Sequence, residues 1–205
     1  MGLEPAAGVF SMDRAPLRGA SGQDWSLGAA KSDRLLDNVA AGVEDVRAAL
    51  ALLDSSGMKL TKPLLLALLA EGGLRLGNLS AGLASIEEGL HLTQTTLDRF
   101  YESELWRVKG ELLLAQSKEK KKTSRSTSRK AQVKEAEQCF QSALKIARDR
   151  GARSLELRAA TSLARLEQII GERGPAHARL AGVYGWFTEG FDTQDLQEAR
   201  ILLGC

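Results

Sequence analysis

AGLASIEEGLHL, residues 81–92, is the stretch that decides the fold of this chain. Read as Gly82-x3-Ile86-x2-Gly89-Leu90, it recurs upstream as Gly42-x3-Val46-x2-Ala49-Leu50. It recurs downstream, after a longer gap, as Ala136-x3-Phe140-x2-Ala143-Leu144. Positions i, i+4 and i+7 share one face of an α-helix, so each copy is a helix with small residues bracketing a large apolar one. Self-similarity at a period of tens of residues marks stacked supersecondary units.

Between these helices lies a second series. Ala70 and Gly110 stand at the same separation as Gly42 and Gly82, and Ser162 matches them further on. Glu104-Leu105 matches Glu156-Leu157, and Leu114 matches Leu166. The unit is a helix pair of about 40 residues, in which a small residue on the first helix admits close approach of the second. A small residue on helix A, then small-x3-large-x2-small on helix B, is the tetratricopeptide-type arrangement. The predicted fold is all-α: a tetratricopeptide-like solenoid of helix pairs, a right-handed superhelix closed by a C-terminal cap helix. The helices fall at about residues 40–53, 63–76, 80–93, 99–116, 132–149, 154–170, 175–188 and 193–203. Pro63 suits a first helical turn, and Gly77 and Gly171 suit left-handed stops. Ser154 and Asp192 are expected as N-caps, with Phe191 and Leu196 as a hydrophobic staple around the latter.

Composition agrees. The chain has 205 residues, 43% of them apolar and 26% charged, as an ordinary globular domain has. Valine and isoleucine total 12, too few for a large sheet, and no proline occurs between Pro63 and Pro175. A net charge of +2 gives no strong attraction to nucleic acid or membrane. The longest apolar run, Leu64–Ala70, falls far short of the ~20 residues that span a bilayer. With no basic-apolar-small leader at the N-terminus, a cytoplasmic protein is expected.

Residues 1–39 show no sustained period and read as a poorly ordered N-terminal arm, with room for a short helix around Trp25–Ala30 or Asp33–Val39, ahead of a repeat domain at 40–203. The third pair carries an insertion, SKEKKKTSRSTSRK at 117–130, with seven basic residues and one acidic. Without it the chain would stand at about −4. This segment could meet phosphates, but it has no aromatic for base stacking. It is expected to be a disordered, solvated loop, and nucleic-acid binding is not expected.

No catalytic constellation is present. The G-x4-G-K-[ST] and G-x-S-x-G patterns are absent. Two cysteines, Cys139 and Cys205, and two histidines, His91 and His177, do not suggest a zinc site or a disulfide framework. Cys139 lies on an apolar face beside Phe140 and reads as structural. No enzyme activity, metal or cofactor is expected. Tyr184, Trp186, Phe187 and Phe191 read as the packed end of the array rather than a ligand pocket.

With Gly110 as the crossing residue, the groove side of helix A carries Glu104, Arg107, Glu111 and Leu114. The equivalent places are Leu64, Ala67, Glu71 and Leu74 before it, and Glu156, Ala159, Leu163 and Leu166 after it. Glu71, Glu104, Arg107, Glu111, Glu156 and Ala159 are therefore the candidate protein-binding residues. They form a mixed acidic and apolar surface suited to a helix or an extended segment of some basic character. The first helix resembles a B helix lacking its A partner. Its apolar face (Val43, Val46, Leu50, Leu53) is then open, predicting self-association as a homodimer or coverage by residues 20–38.

Three segments carry a family resemblance: DRFYESELWRVKGELLLA at 98–115, GARSLELRAATSLARL at 151–166 and VYGWFTEGFDTQDLQEARILL at 183–203. They are similar to the C-terminal tetratricopeptide-like region of bacterial multidomain adenylate or guanylate cyclases and of predicted regulatory (STAND-type) ATPases. The resemblance covers about residues 40–203. It implies a sensor or protein-interaction platform of bacterial signalling, following a cyclase or DNA-binding domain and a P-loop ATPase domain. Neither domain fits in residues 1–39, so the resemblance implies a non-catalytic interaction module, or an effector-sensing regulatory tail, and transfers no catalysis.

Overall fold

The computed structural model describes residues 25–96, 99–119, 126–171 and 174–204, and among them every regular element is an α-helix. In order they are α1 (Trp25–Ser56), α2 (Lys62–Arg75), α3 (Leu79–Thr96), α4 (Glu102–Glu119), α5 (Ser126–Asp149), α6 (Arg153–Ile170), α7 (Pro175–Tyr184) and α8 (Gln194–Leu203). Each helix packs on its sequence neighbours. In addition α2 touches α4, α4 touches α6, and α6 touches α8, so the even-numbered helices form a continuous row.

The small residues stand where helices cross. A Cβ placed on Gly110 would strike the Phe140 ring of α5. One on Gly82 would lie 3.2 Å from the Ala70 carbonyl oxygen, and one on Gly89 2.7 Å from Leu105 Cδ2. Gly77 and Gly171 are left-handed as predicted, and Gly151 is left-handed too. Gly77 and Gly151 have φ of 76° and 66°, and they close Schellman ends through Asn78 N–H to Gly73 O at 2.7 Å and Ala152 N–H to Ala147 O at 2.9 Å. Pro63 lies in the first turn of α2.

Two apolar clusters run through the stack. Ala67, Ala70, Ile86, Leu90, Leu105, Val108 and Leu112 form one. Leu113, Leu114, Phe140, Leu157, Leu163, Leu166, Leu180 and Leu196 anchor the other, and Trp106 packs against both. Helix α4 thus contributes to both cores.

Several local expectations change. The helix predicted from residue 40 begins at Trp25 and runs unbroken through 39, so the arm and the repeat region are not separated there; residues 1–24 lie outside the described residues. Ser117–Glu119 finish α4 and Ser126–Lys130 begin α5, so the helices extend into both ends of the basic insertion, whose residues 120–125 lie outside the described residues. The apolar face of α1 is seated on α2: Val43 is buried, and a Cβ on Gly72 would strike its Cγ2 atom. Val46, Leu50 and Leu53 are half-buried. Ser154 is inside α6, whose N-cap is Ala152. Thr193, not Asp192, precedes α8 as its N-cap, which removes Phe191 from the staple position. Helix α7 stops at Tyr184 rather than Thr188. Its N-terminus is capped from a neighbour, because the Glu167 carboxylate accepts from Gly174 N–H at 3.2 Å and Ala176 N–H at 3.0 Å.

Candidate functional site

The row of even helices presents a cleft of about 240 Å³, lined by Glu71, Leu74 and Arg75 of α2, Arg107, Val108 and Glu111 of α4, Arg158, Thr161, Ser162 and Arg165 of α6, and Gln194, Asp195 and Glu198 of α8. Spacings of three and four residues put each set on one helix face. The four helices bring those faces together.

Arg107 is the buried centre. Its Nε and Nη2 donate to Glu104 Oε2 and Oε1 at 3.0 and 2.7 Å, a bidentate pair, and its Nη1 lies 4.0 Å from Glu111. Burial works against the charge on Arg107. The Glu104 hydrogen bonds and charge, with help from Glu71 and Glu111, outweigh it and hold the guanidinium pKa above the usual value. Glu104 Oε1 also meets Arg158 Nη1 at 2.7 Å, tying α4 to α6.

Outward from that pair the contacts loosen. Arg158 lies 3.8 Å from Glu71 and 3.7 Å from Asp195. Arg165 donates to Glu198 at 2.9 Å and stands 3.7 Å from Glu111. Glu111 accepts from the Ser162 hydroxyl at 2.7 Å. Desolvation raises the Asp195 pKa, and Arg158 only partly offsets it. Desolvation also acts on Glu198, but hydrogen bonds from Gln194 and Arg165 win and lower its pKa.

Of the residues predicted for the groove, Glu71, Arg107 and Glu111 line the cleft and Glu104 braces it from below. Glu156 and Ala159 do not reach it. Ala159 is fully buried in the core. Glu156 is 1% exposed and accepts from Arg148 at 3.0 Å and Arg153 at 2.7 Å. The Arg153 guanidinium in turn stacks 3.9 Å from the Trp186 ring centroid. Glu156 therefore clamps α5, α6 and the segment after α7. That contact also corrects the aromatic prediction. Tyr184 and Phe187 pack against the core, whereas Trp186 is 63% exposed and Phe191 is exposed too.

The error in α6 has a single origin. The separation of Gly82 and Ala136, which the insertion stretches, also relates the cleft residues of α4 to those of α6. At that separation Gly110 corresponds to Ala164 rather than Ser162, Glu104 to Arg158, Arg107 to Thr161 and Glu111 to Arg165. Arg158, Thr161 and Arg165 are the α6 residues that face the cleft or its brace. Carried through the whole repeat, the spacing would have found them. The α8 residues had no such signal, since α8 was read only as a cap.

Among the described residues, no group of three or more His, Cys, Asp and Glu side chains is disposed to hold a metal ion, and no helix is long and apolar enough to cross a membrane. Cys139 is buried, and desolvation pushes its thiol pKa up to about 11, away from a nucleophile's range. No protein-family model and no curated protein matches the chain.

Proposed function

We propose that this chain is a non-catalytic recognition module of tetratricopeptide-like, right-handed solenoid form, in which α2, α4 and α6 are A helices, α8 caps the row, and the cleft they line binds a peptide or helix of a protein partner. The observation that carries this reading is the unbroken row α2–α4–α6–α8 facing one polar cleft. Helix-pair arrays present their inner row as an extended binding surface. Service in bacterial signalling, in the cytoplasm, belongs to the same reading and rests on the resemblance of residues 40–203.

A displayed random-peptide library panned against the full chain tests it. Enriched peptides are expected to shift amide signals of Arg107, Thr161 and Arg165 in NMR titration and to lose affinity for Glu111→Lys. Enriched peptides that leave those signals unmoved, or a library that enriches nothing, would overturn the proposal.

A further inference from the structure

The motif shared by α1, α3 and α5 is closed in the later two helices and open in the first. Ile86 of α3 and Phe140 of α5 are both 0% exposed. The helix before each one does part of the closing. A Cβ on Gly82 would lie 3.2 Å from the Ala70 carbonyl oxygen of α2, and the Phe140 ring lies against Gly110 of α4. In α1 the corresponding Val46 is half-buried and Gly42 is exposed, with nothing within 4 Å of a Cβ placed on it. What remains is a groove of about 200 Å³, lined by Val39, Gly42 and Val46 of α1 and Leu68 and Gly72 of α2. It stands where a helix preceding α1 would pack.

The sequence contains such a helix. Residues 36–43, LDNVAAGV, match LGNLSAGL at 76–83, the turn from α2 into α3, at the separation of Gly42 and Gly82. The same separation sets Ala30 level with Ala70 and Trp25 level with Leu65, so residues 25–36 correspond to 65–76. One residue differs where the chain turns. Gly77 has φ of 76° and reverses the chain. Its counterpart is Asp37, and α1 runs straight through it. Aspartate enters the left-handed region at a cost that glycine does not bear, which favours continuing the helix.

On a straight α1, residues 25–36 lead away from the groove and cannot fill it. We infer that the groove takes residues 25–36 of a second copy, in a dimer whose two α1 helices lie antiparallel about Asp37–Asn38. The contact is isologous: each copy gives the first half of its α1 and receives the other's. The partner then supplies to α1 the packing that α2 supplies to α3. Exchange of an identical element is a low-cost route to a dimer, because the surface that receives it belongs to the same fold. Centred on Asp37–Asn38, the overlap runs from residue 25 to about residue 50, about 39 Å at the helical rise. This dimer is independent of what the cleft binds.

Light scattering of the full chain over a dilution series is expected to show a dimer. In the full chain carrying Ala30→Cys, Val46→Cys and Cys205→Ser, mild oxidation is expected to link the introduced thiols between chains, giving covalent dimers on non-reducing electrophoresis. Asp37→Gly supplies the left-handed residue that follows α2. It is expected to raise the dimer dissociation constant about tenfold and to move the new disulfide within one chain. Asp37→Ala, a better helix former, is expected to tighten the dimer instead. Responses of the same sign in the two variants would overturn the inference. So would a monomer whose introduced thiols pair within one chain, which would show residues 25–36 folded back on their own groove. A monomer in which they stay unlinked, or a dimer that forms without linking them, would overturn it as well.

Discussion

Helices α4 and α6 are neighbours in the row of even-numbered helices, yet their cleft faces are opposite in charge. Helix α4 presents Glu104, Arg107 and Glu111; helix α6 presents Arg158, Thr161 and Arg165 at the corresponding positions. Equivalent residues of stacked helices are neighbours in space, so Glu104 meets Arg158 at 2.7 Å and Glu111 faces Arg165 at 3.7 Å. Opposite charges on facing helices tie α4 to α6 and disfavour packing out of register. The two helices also differ in burial. The α4 pair Arg107–Glu104 is nearly closed off from solvent, whereas Arg165 and its partner Glu198 are both partly exposed.

That difference sets the order of expected effects. Arg107→Met leaves Glu104 buried with Arg158 alone, and should cost about 3 kcal/mol of unfolding free energy in urea titration. A loss no larger than that of Arg165→Met would break the distinction between the two helices. Gly110→Ala comes next. Its new methyl strikes the buried Phe140 ring, for an expected cost of about 1–3 kcal/mol. The reciprocal Ala164→Gly removes helix propensity and should cost about 1 kcal/mol. If Gly110→Ala proved neutral, the close crossing of α4 and α5 would be wrong. Arg165→Met, at the exposed pair, should cost less than about 1 kcal/mol and fade further in high salt.

Smaller still, the α8 carboxylates should respond to pH with opposite signs. The Glu198 pKa is lowered in the fold, so its contribution is present above its unfolded value of about 4.3 and is lost as pH falls through the folded value. Glu198→Gln should therefore lower the melting temperature at neutral pH, by an amount that shrinks as the pH falls below the usual glutamate value. The Asp195 pKa is raised, so its contribution is present below its unfolded value of about 3.9 and is lost as pH rises through the folded one. Asp195→Asn should raise the melting temperature at neutral pH. Shifts of the same sign in both variants would refute the account of the cleft's charge.

The least demanding measurement concerns Cys139. In a Cys205→Ser background, a thiol reagent at pH 8 should label the native chain far more slowly than the unfolded one, because the buried thiol stays protonated.

Much of the fold was legible in the residues. The helix-pair order, Pro63 in the first turn of α2, and the left-handed glycines all follow from local rules. These are the period of the apolar face, the missing proline donor and the freedom of glycine at positive φ. Glu71, Arg107 and Glu111 reach the cleft for the same reason, since Ala70 and Gly110 fix their registers and no insertion separates the two. Glu156 and Ala159 were misplaced because Gly110 was matched to Ser162 rather than to Ala164, and a slip of two positions turns a helix face by about half a circle.

What the sequence by itself determined is the set of helices, their order and the small residues at which they cross, because each depends on contacts along one helix or between consecutive ones. Only the tertiary structure decided which charges meet. Arg158 finds Glu104 two helices earlier, Arg165 finds Glu198 two helices further on, and Arg153 of α6 comes to lie over Trp186. Such partners are chosen by how three or four helices stack at once, and a periodic pattern on a single helix carries no record of that.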